Sequence, residues 1–390
     1  MSEAVIISAC RTPIGRYGKS LAGFSSVQLG AAAIKEAVAR ARVNPVEIDE
    51  VIMGNVVTAG LGQAPARQAA LAGGIPDSVP AFTVNKVCAS GLKAVGIAAD
   101  AIKAGSAETI VAGGMESMSN APYVVRELRW GSKMNDVKLV DAMVYDGLWD
   151  VYSNFHMGMT GEIVADRYNV TREDMDRFSY ESHMKANRAT QDGKFKAEIV
   201  PVELKAERRM FEQDEGIRSD STVEKLAKLP AAFKKDGKVT AGNASQLSDG
   251  GAATVVMSSE AANRKGFKPL ARIVDYVSAG VKPEWVMEAP IPAVRKLLKK
   301  TGLEVKDIDL WEHNEAFSSA SVAVMKELGI PRERFNVNGG AVALGHPIGC
   351  SGARILATLT YAMKDANARR GIVTICLGGG NAMAMLIEKM

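Results

Sequence analysis

Leu344-Gly345-His346-Pro347-Ile348-Gly349-Cys350-Ser351-Gly352 sets a histidine between a glycine and a proline at the entry to a helical pattern. Two cysteines stand in similar settings far away: Cys88 in Asn85-Lys86-Val87-Cys88-Ala89-Ser90-Gly91, and Cys376 in Thr374-Ile375-Cys376-Leu377-Gly378-Gly379-Gly380. In both, an apolar strand-like run is expected to end at a thiol, with small residues after it. Small residues let a ligand or another backbone approach, and their exposed N–H groups suit an anionic oxygen. Two thiols and an imidazole so placed suggest thiol chemistry at one shared site.

Working outward, Ser351-Gly352 opens a helical stretch that leads to the strand-like Gly371–Cys376 and then to the triple glycine. Ser90-Gly91 opens a similar stretch, leading to Thr109–Ala112 and then Gly113-Gly114. Asp49–Asn55 has a counterpart in Asp307–Asn314. Several matches in one order at nearly constant offset predict a duplicated α/β unit. The first unit alternates strand-like Val5–Ser8, Glu50–Met53, Phe82–Val84 and Thr109–Ala112 with helical Val27–Ala41, Ala64–Ala72 and Ser90–Ala104. Such alternation predicts a sheet with helices packed on its faces.

Between about Met118 and Ser248 charged and aromatic residues are denser, and polar stretches such as Lys205–Ser221 break the alternation. This predicts an inserted, loop-rich domain holding one capped helix over Thr171–Asp192, with Thr171 and Asp174 at capping-box spacing. The expected organisation is an N-terminal unit over 1–117, completed by about 249–268, an insertion over 118–248, and a second unit over 269–390.

Composition excludes several classes. The 390 residues exceed the usual single-domain size, and 47% hydrophobic with 24% charged residues describes an ordinary soluble protein. A net charge of +4 with no aromatic-interleaved basic block argues against nucleic acid. No apolar run approaches a membrane span, and no leader precedes Ala4–Ala9. The four cysteines (Cys10, Cys88, Cys350, Cys376) have neither disulfide-framework nor zinc spacing, which fits a reducing cytoplasm.

Each motif also has a plainer reading. Cys88 could be a buried packing residue, although a following helix would lower its pKa and favour a nucleophile. Of the four histidines, His183 reads as a solvated helix-face residue, His156 and His313 stay open, and His346 alone has a defined backbone bend. Asn314, taken alone, reads as the cap of a helix over Ala316–Leu328. Gly378–Gly380 is no phosphate loop, because no Lys-Ser/Thr follows and the chain returns to a strand, Ala382–Ile387. Gly60-Leu61-Gly62 lacks the third glycine of a dinucleotide fingerprint.

With these motifs in place, the sequence resembles the thiolase family, and within it the acetoacetyl-CoA type, acetyl-CoA C-acetyltransferase. The resemblance runs from Arg11-Thr12-Pro13-Ile14-Gly15 through Asn85–Gly91, Gly113–Ser119, His156-Met157-Gly158, Ala241–Ser245, Asn314–Phe317 and Gly345–Gly349 to Cys376–Gly380. It implies a thiolase-like α/β fold, with two similar domains packed as alternating helix and sheet layers and an inserted loop domain that binds coenzyme A.

The resemblance also implies residue roles. Cys88 would carry the acetyl group, and His346 would activate it. His346, with a water held by Asn314, would stabilise the thioester enolate. Cys376 would move the α-proton of the second acetyl unit, and the N–H groups of Cys88 and Gly378 would form the oxyanion hole. Leu148, His156, Met157, Ser245, Ala316 and Phe317 match positions along the pantetheine tunnel and acyl pocket, and Arg218 a position near the nucleotide. Met157 would restrict the pocket to short acyl chains. Acetyl-CoA, acetoacetyl-CoA and CoA would be substrates, with no further cofactor and no metal. A homodimer or homotetramer is expected, with Arg126–Lys138 matching the segment that joins dimers in tetrameric relatives.

Some positions depart from the family's usual pattern: Ala64, Gly161, Gln246-Leu247-Ser248 and Met287-Glu288-Ala289-Pro290. Those near Ser245 and Met287 bear on acyl-chain preference, and Cys350 reads as packing. The rival readings are a degradative 3-ketoacyl-CoA thiolase of broader chain length, a ketoacyl-synthase-like condensing enzyme, a cysteine hydrolase using Cys88, His346 and Asn314, and a non-catalytic scaffold. Cys376 argues against the synthase and the hydrolase.

Overall fold

The structure, a computed structural model, describes residues 2–390. The first unit runs β1 (Ala4–Arg11), α1 (Ser26–Ala41), β2 (Glu50–Gly54), α2 (Pro65–Ala72), β3 (Ala81–Val84), α3 (Ser90–Ala104) and β4 (Thr109–Ser117). The segment that follows includes α4 (Gly158–Arg167) and α5 (Arg172–Gln191), after which β5 (Ser248–Ser258) returns to the sheet. The second unit runs β6 (Ala271–Gly280), α6 (Pro290–Thr301), β7 (Leu310–His313), α7 (Ser318–Leu328), α8 (Ile348–Asp365), β8 (Arg370–Leu377) and β9 (Asn381–Lys389).

Local chemistry sets the helix ends. Ser25 and Gln28 form a capping box ahead of α1, which stops at Arg42 in the left-handed region. The expected capping box of Thr171 and Asp174 is present at α5. α3 ends at Gly105, with φ +76°, which a glycine adopts without steric cost. α8 is buried nearly all round, as its apolar and small residues require.

The main sheet has the order β7-β8-β9-β6-β1-β5-β4-β2-β3, with the short strand Gly15–Arg16 paired to β5. β5 thus lies between β1 and β4, far in sequence from both. The two halves repeat one another. β1 and β6 meet antiparallel at the centre through Ala4–Ile6 and Ala271–Ile273, and each carries a bulge one residue further on, at Ile6/Ser8 and at Ile273/Asp275. Parallel pairs lie towards the two outer edges, β2 with β3 and β4 on one side and β7 with β8 on the other. β3 has its counterpart in the single parallel bridge of Trp311 to Phe335.

Layers follow from which faces are apolar. α1 and α2 cover the outer face of the first half, with Ile34, Ala37, Ala66 and Ala69 against Val51, Val111 and Val255. α6 and α7 cover the second half through Val294, Leu297, Ala320 and Val324. α3 and α8 lie between, packed on strands of both halves. These helices touch at glycines: a Cβ on Gly91 would sit 2.9 Å from Ala353 N, and one on Gly352 would sit 2.5 Å from Leu92 N. Alternating helix and sheet layers are therefore observed.

Some expectations need correction. The duplicated register pairs Asp49 with Asp309, two residues beyond Asp307. Asp49 Oδ2 accepts from the N–H groups of Glu108 and Thr109, and Asp309 Oδ2 from those of Arg369 and Arg370. α7 begins at Ser318, so Asn314 does not cap it. His183 is buried, because α5 is covered by the segment around Arg218, whose N–H donates to His183 Nδ1 over 3.2 Å.

Candidate active site

Cys88 does not end a strand. β3 stops at Val84, and residues 85–88 form a turn in which Val87 takes φ +46°. A β-branched residue rarely adopts that conformation, so the turn is held under strain. Its restraints are local: Val87 N–H donates to Asn85 Oδ1 (3.0 Å), Lys86 N–H to Ser90 Oγ (2.8 Å), and Ser90 Oγ–H to Val87 O (2.6 Å). The turn delivers the half-buried Cys88 to a cavity just before α3.

His346 arrives from the other half. Gly345 has φ +110°, and a Cβ there would lie 2.2 Å from Ser248 Oγ, so only glycine fits before the histidine. The His346 N–H donates to Gln246 O at 3.0 Å, which ties the bend to the irregular segment leading into β5. The ring lies between Ser351 Oγ, 2.5 Å from Nδ1, and Asn314 Nδ2, 3.3 Å from Nε2. Glu116 pins the entry of α8 by accepting from the N–H groups of Gly349, Val56 and Val57. Cys376 lies near the end of β8, with its thiol 3.7 Å from Met287 Sδ.

These groups line one cavity of about 430 Å³, walled mostly by apolar side chains. Of the residues expected at the site, Cys88, Leu148, His156, Met157, Ser245, Ala316, Phe317, His346, Cys376 and Gly378 all line it. Asn314 is buried behind His346. Arg218 is exposed and is not part of the wall. His156 accepts from Gly158 N–H at Nδ1 (3.0 Å) and stacks on Phe233 at 4.8 Å. Phe233, in turn, meets Phe317 edge-on at 6.3 Å. Sequence reasoning missed Phe233, which stands in an irregular loop with no periodicity to mark it. It missed Ser351 as well, whose only signal was the spacing of five residues from His346. His313, left open, is a core residue: its Nδ1 faces Ser321 Oγ at 3.0 Å, and its ring stacks on Phe335.

Electrostatics corrects one expectation. The helix after Cys88 does not leave its thiol acidic, since burial pushes the pKa up to about 12, opposed by the N–H groups of Gly378 and of Cys88 itself. Cys376 is raised further by burial and by the neighbouring Cys88. Burial lowers His346 to about 3. Burial thus favours the neutral form of both thiols and of the imidazole, and two backbone N–H groups, those of Cys88 and Gly378, oppose it at Cys88. Among the described residues, no group of three or more His, Cys, Asp or Glu is placed to hold a metal ion, and no helix is long and apolar enough to cross a membrane.

A duplicated, layered α/β fold thus brings two thiols and an imidazole into one apolar cavity. Two family descriptions fit consecutively: thiolase, N-terminal domain, over residues 4–260, and thiolase, C-terminal domain, over residues 267–389. The chain belongs to the thiolase family. It is 50% identical over 394 residues to the acetyl-CoA acetyltransferase of Syntrophomonas wolfei, covering 100% of this chain and 99% of that protein. The crystal structure of the Bacillus anthracis acetyl-CoA acetyltransferase matches with a TM-score of 0.98 at 44% identity, covering 100% of this chain and 99% of that one. Human mitochondrial 3-ketoacyl-CoA thiolase in complex with CoA matches with a TM-score of 0.97 at 39% identity, covering 100% of this chain and 98% of that one.

Proposed function

We propose that this protein is an acetyl-CoA C-acetyltransferase, an acyltransferase that condenses two acetyl-CoA to acetoacetyl-CoA and CoA and runs the reverse thiolysis. The observation that carries this reading is the convergence of Cys88, His346 and Cys376 on one apolar cavity. A Claisen condensation needs a nucleophile for the first acyl group, a separate base for the second, and donors where negative charge develops.

The residues fill those roles in a balanced sequence. His346 Nε2 takes the Cys88 proton as the sulfur attacks the thioester carbonyl, and the oxyanion sits against the N–H groups of Cys88 and Gly378. The C–S bond to CoA breaks, and Cys376 gives its proton to the leaving thiolate. Cys376, now a thiolate, removes the α-proton of a second acetyl-CoA. The enolate oxygen is held by the His346 N–H and by a water on Asn314. Its carbon attacks acetyl-Cys88, and the released Cys88 sulfur recovers its proton from His346. Burial keeps the groups neutral until the thioester arrives, so the proton moves as the bond forms.

On this reading CoA thioesters are substrates and the chemistry requires neither cofactor nor metal. Residues 118–248 form the CoA-binding insertion between the units 1–117, completed by 249–268, and 269–390. Leu148, His156, Met157, Ser245, Ala316 and Phe317 receive the pantetheine and acyl group, and Arg218 reaches the nucleotide from outside the cavity. A homodimer or homotetramer fits the exposed apolar side chains of Leu128, Trp130, Met134 and Leu139, of which Trp130 is 91% exposed. A cytoplasmic place in fatty acid metabolism belongs to the same proposal, and the four free cysteines support it.

The second reading, a 3-ketoacyl-CoA thiolase of broader chain length, is favoured by the likeness to the human enzyme. Thiolysis by purified protein with free CoA decides between the two. Strong preference for acetoacetyl-CoA over a long-chain 3-ketoacyl-CoA is expected, comparable turnover of the long chain would move the protein to the second reading, and no turnover of either would refute both.

A further inference from the structure

His346 is held at both ring nitrogens, by Ser351 Oγ at 2.5 Å from Nδ1 and Asn314 Nδ2 at 3.3 Å from Nε2, and all three residues are buried. Ser351 stands in the first turn of α8, and its hydroxyl reaches back 2.9 Å to the carbonyl of Pro347, four residues earlier. A helical serine in that geometry gives its one proton to the carbonyl, which turns its lone pairs to any other partner. The partner here is Nδ1, which must then carry a proton to make the bond. At the opposite edge the Asn314 amide nitrogen is a donor, so Nε2 must accept. Both ends of the ring specify the same tautomer. In the reverse arrangement the resting ring would offer the cavity no base for Cys88.

We propose that Ser351 is a positioning residue: its hydroxyl accepts from Nδ1–H of His346, fixes that tautomer and leaves Nε2 unprotonated at the cavity that Cys88 also lines, an inference that rests on the roles given above to Cys88 and His346. A hydroxyl suits this task better than a carboxylate would. It orients the ring without adding a negative charge that would draw a second proton onto it. The ring thus stays neutral at rest, in keeping with the downward shift that burial imposes. When Nε2 takes the Cys88 proton, the Nδ1–H stays on Ser351, and the new Nε2–H becomes the donor to the enolate oxygen. The same proton returns to the Cys88 sulfur when the acetyl group departs, so Ser351 itself neither gains nor loses a proton.

The test is a long-range proton–nitrogen correlation spectrum of the full-length protein labelled with 15N-histidine. Four histidines keep it readable, and His346→Gln assigns the signals. The expected result near neutral pH is a His346 ring protonated at Nδ1 and bare at Nε2; a ring protonated at Nε2 overturns the proposal. Alongside it, Ser351→Ala is expected to lower kcat for acetoacetyl-CoA thiolysis about 10- to 100-fold with KM little changed. Ser351→Thr, which keeps the hydroxyl, should recover most of that rate. A wild-type kcat in Ser351→Ala also overturns the proposal. Failure of the wild-type protein to form acetyl-Cys88 would instead strike the functional reading, while the tautomer spectrum would still decide the role of Ser351.

Discussion

Nδ2 of Asn314 lies 3.3 Å from Nε2 of His346, joining the loop after β7 to the bend that enters α8. The amide is buried, and its Oδ1 has no protein partner. A buried amide oxygen without a protein partner is a place for a bound water, as the enolate step requires. Asn314→Ala removes both functions and should lower kcat on the order of 10²-fold, with KM nearly unchanged. Steady-state kinetics in both directions measures this, and an unchanged kcat would remove Asn314 from the chemistry.

Cys88 and Cys376 have separable tasks. Cys88→Ser should nearly abolish transfer of radiolabelled acetyl from acetyl-CoA to the protein, because a hydroxyl is a far weaker nucleophile than a thiol. Cys376→Ser should retain the label on Cys88 and stop condensation, since no base remains for the α-proton. If both variants take up label equally, or neither does, this division of labour is wrong.

Met157 is buried against the cavity, beside the stacked pair of His156 and Phe233. Truncation to alanine opens space next to the acyl group at little cost to the catalytic groups. Met157→Ala should raise kcat/KM for a six-carbon 3-ketoacyl-CoA relative to acetoacetyl-CoA by roughly 10-fold, in line with what one or two methylenes are worth in an apolar pocket. An unaltered ratio would mean that another residue sets chain length.

Arg11 contributes to stability rather than to chemistry. It is fully buried, pairs Nη1 and Nη2 with both oxygens of Asp214, and places Nε 2.6 Å from Glu198. Arg11→Met leaves two carboxylates uncompensated in the interior. Denaturant unfolding at fixed protein concentration should show a loss of about 3–5 kcal/mol, and a loss below 1 kcal/mol (well under that range) would mean that water already reaches the pair.

Acid should destabilise the protein through its buried neutral histidines. His183 accepts a backbone N–H and is lowered from 6.5 to about 4 by burial and by Arg218. The unfolded chain therefore binds a proton that the folded chain refuses. The stability this supplies is complete above about pH 6.5 and is lost as pH falls toward 4. His183→Gln keeps an acceptor but does not titrate, so its loss of stability between pH 7 and 5 should be smaller than that of the wild type by about 2 kcal/mol. Equal losses in melting experiments across that range would show that His183 takes up its proton as readily in the folded chain as in the unfolded one.

Periodicity in the sequence was enough for the frame. The helical spacing at Ser90–Ala104 and the capping box at Thr171 are local properties, carried by residues within a few positions of one another, and the structure has them where the chain spells them. The repeat of Asp49 and Asp309 was visible for the same reason, although its register was two residues off. The thiols and the histidine stood out because rare, reactive side chains sat among glycines. The family resemblance added Asn314 and the tunnel residues, which plain spacing had assigned to a helix cap or had passed over.

What the sequence by itself determined is therefore the alternation of elements, their duplication and the identity of the reactive groups. Tertiary structure alone decided that β5, reached only after the long insertion, lies between β1 and β4, and that α3 and α8 meet through Gly91 and Gly352. It decided that Val87 is forced into the left-handed region, that His183 is buried, and that burial pushes the Cys88 thiol pKa up. The physical reason is common to all of these. Burial and long-range pairing are properties of what packs against a residue, and the partners here lie tens to hundreds of positions away. Ser351 is the sharpest case, because its hydroxyl gains a function only once the Gly345 bend has turned the imidazole back onto α8.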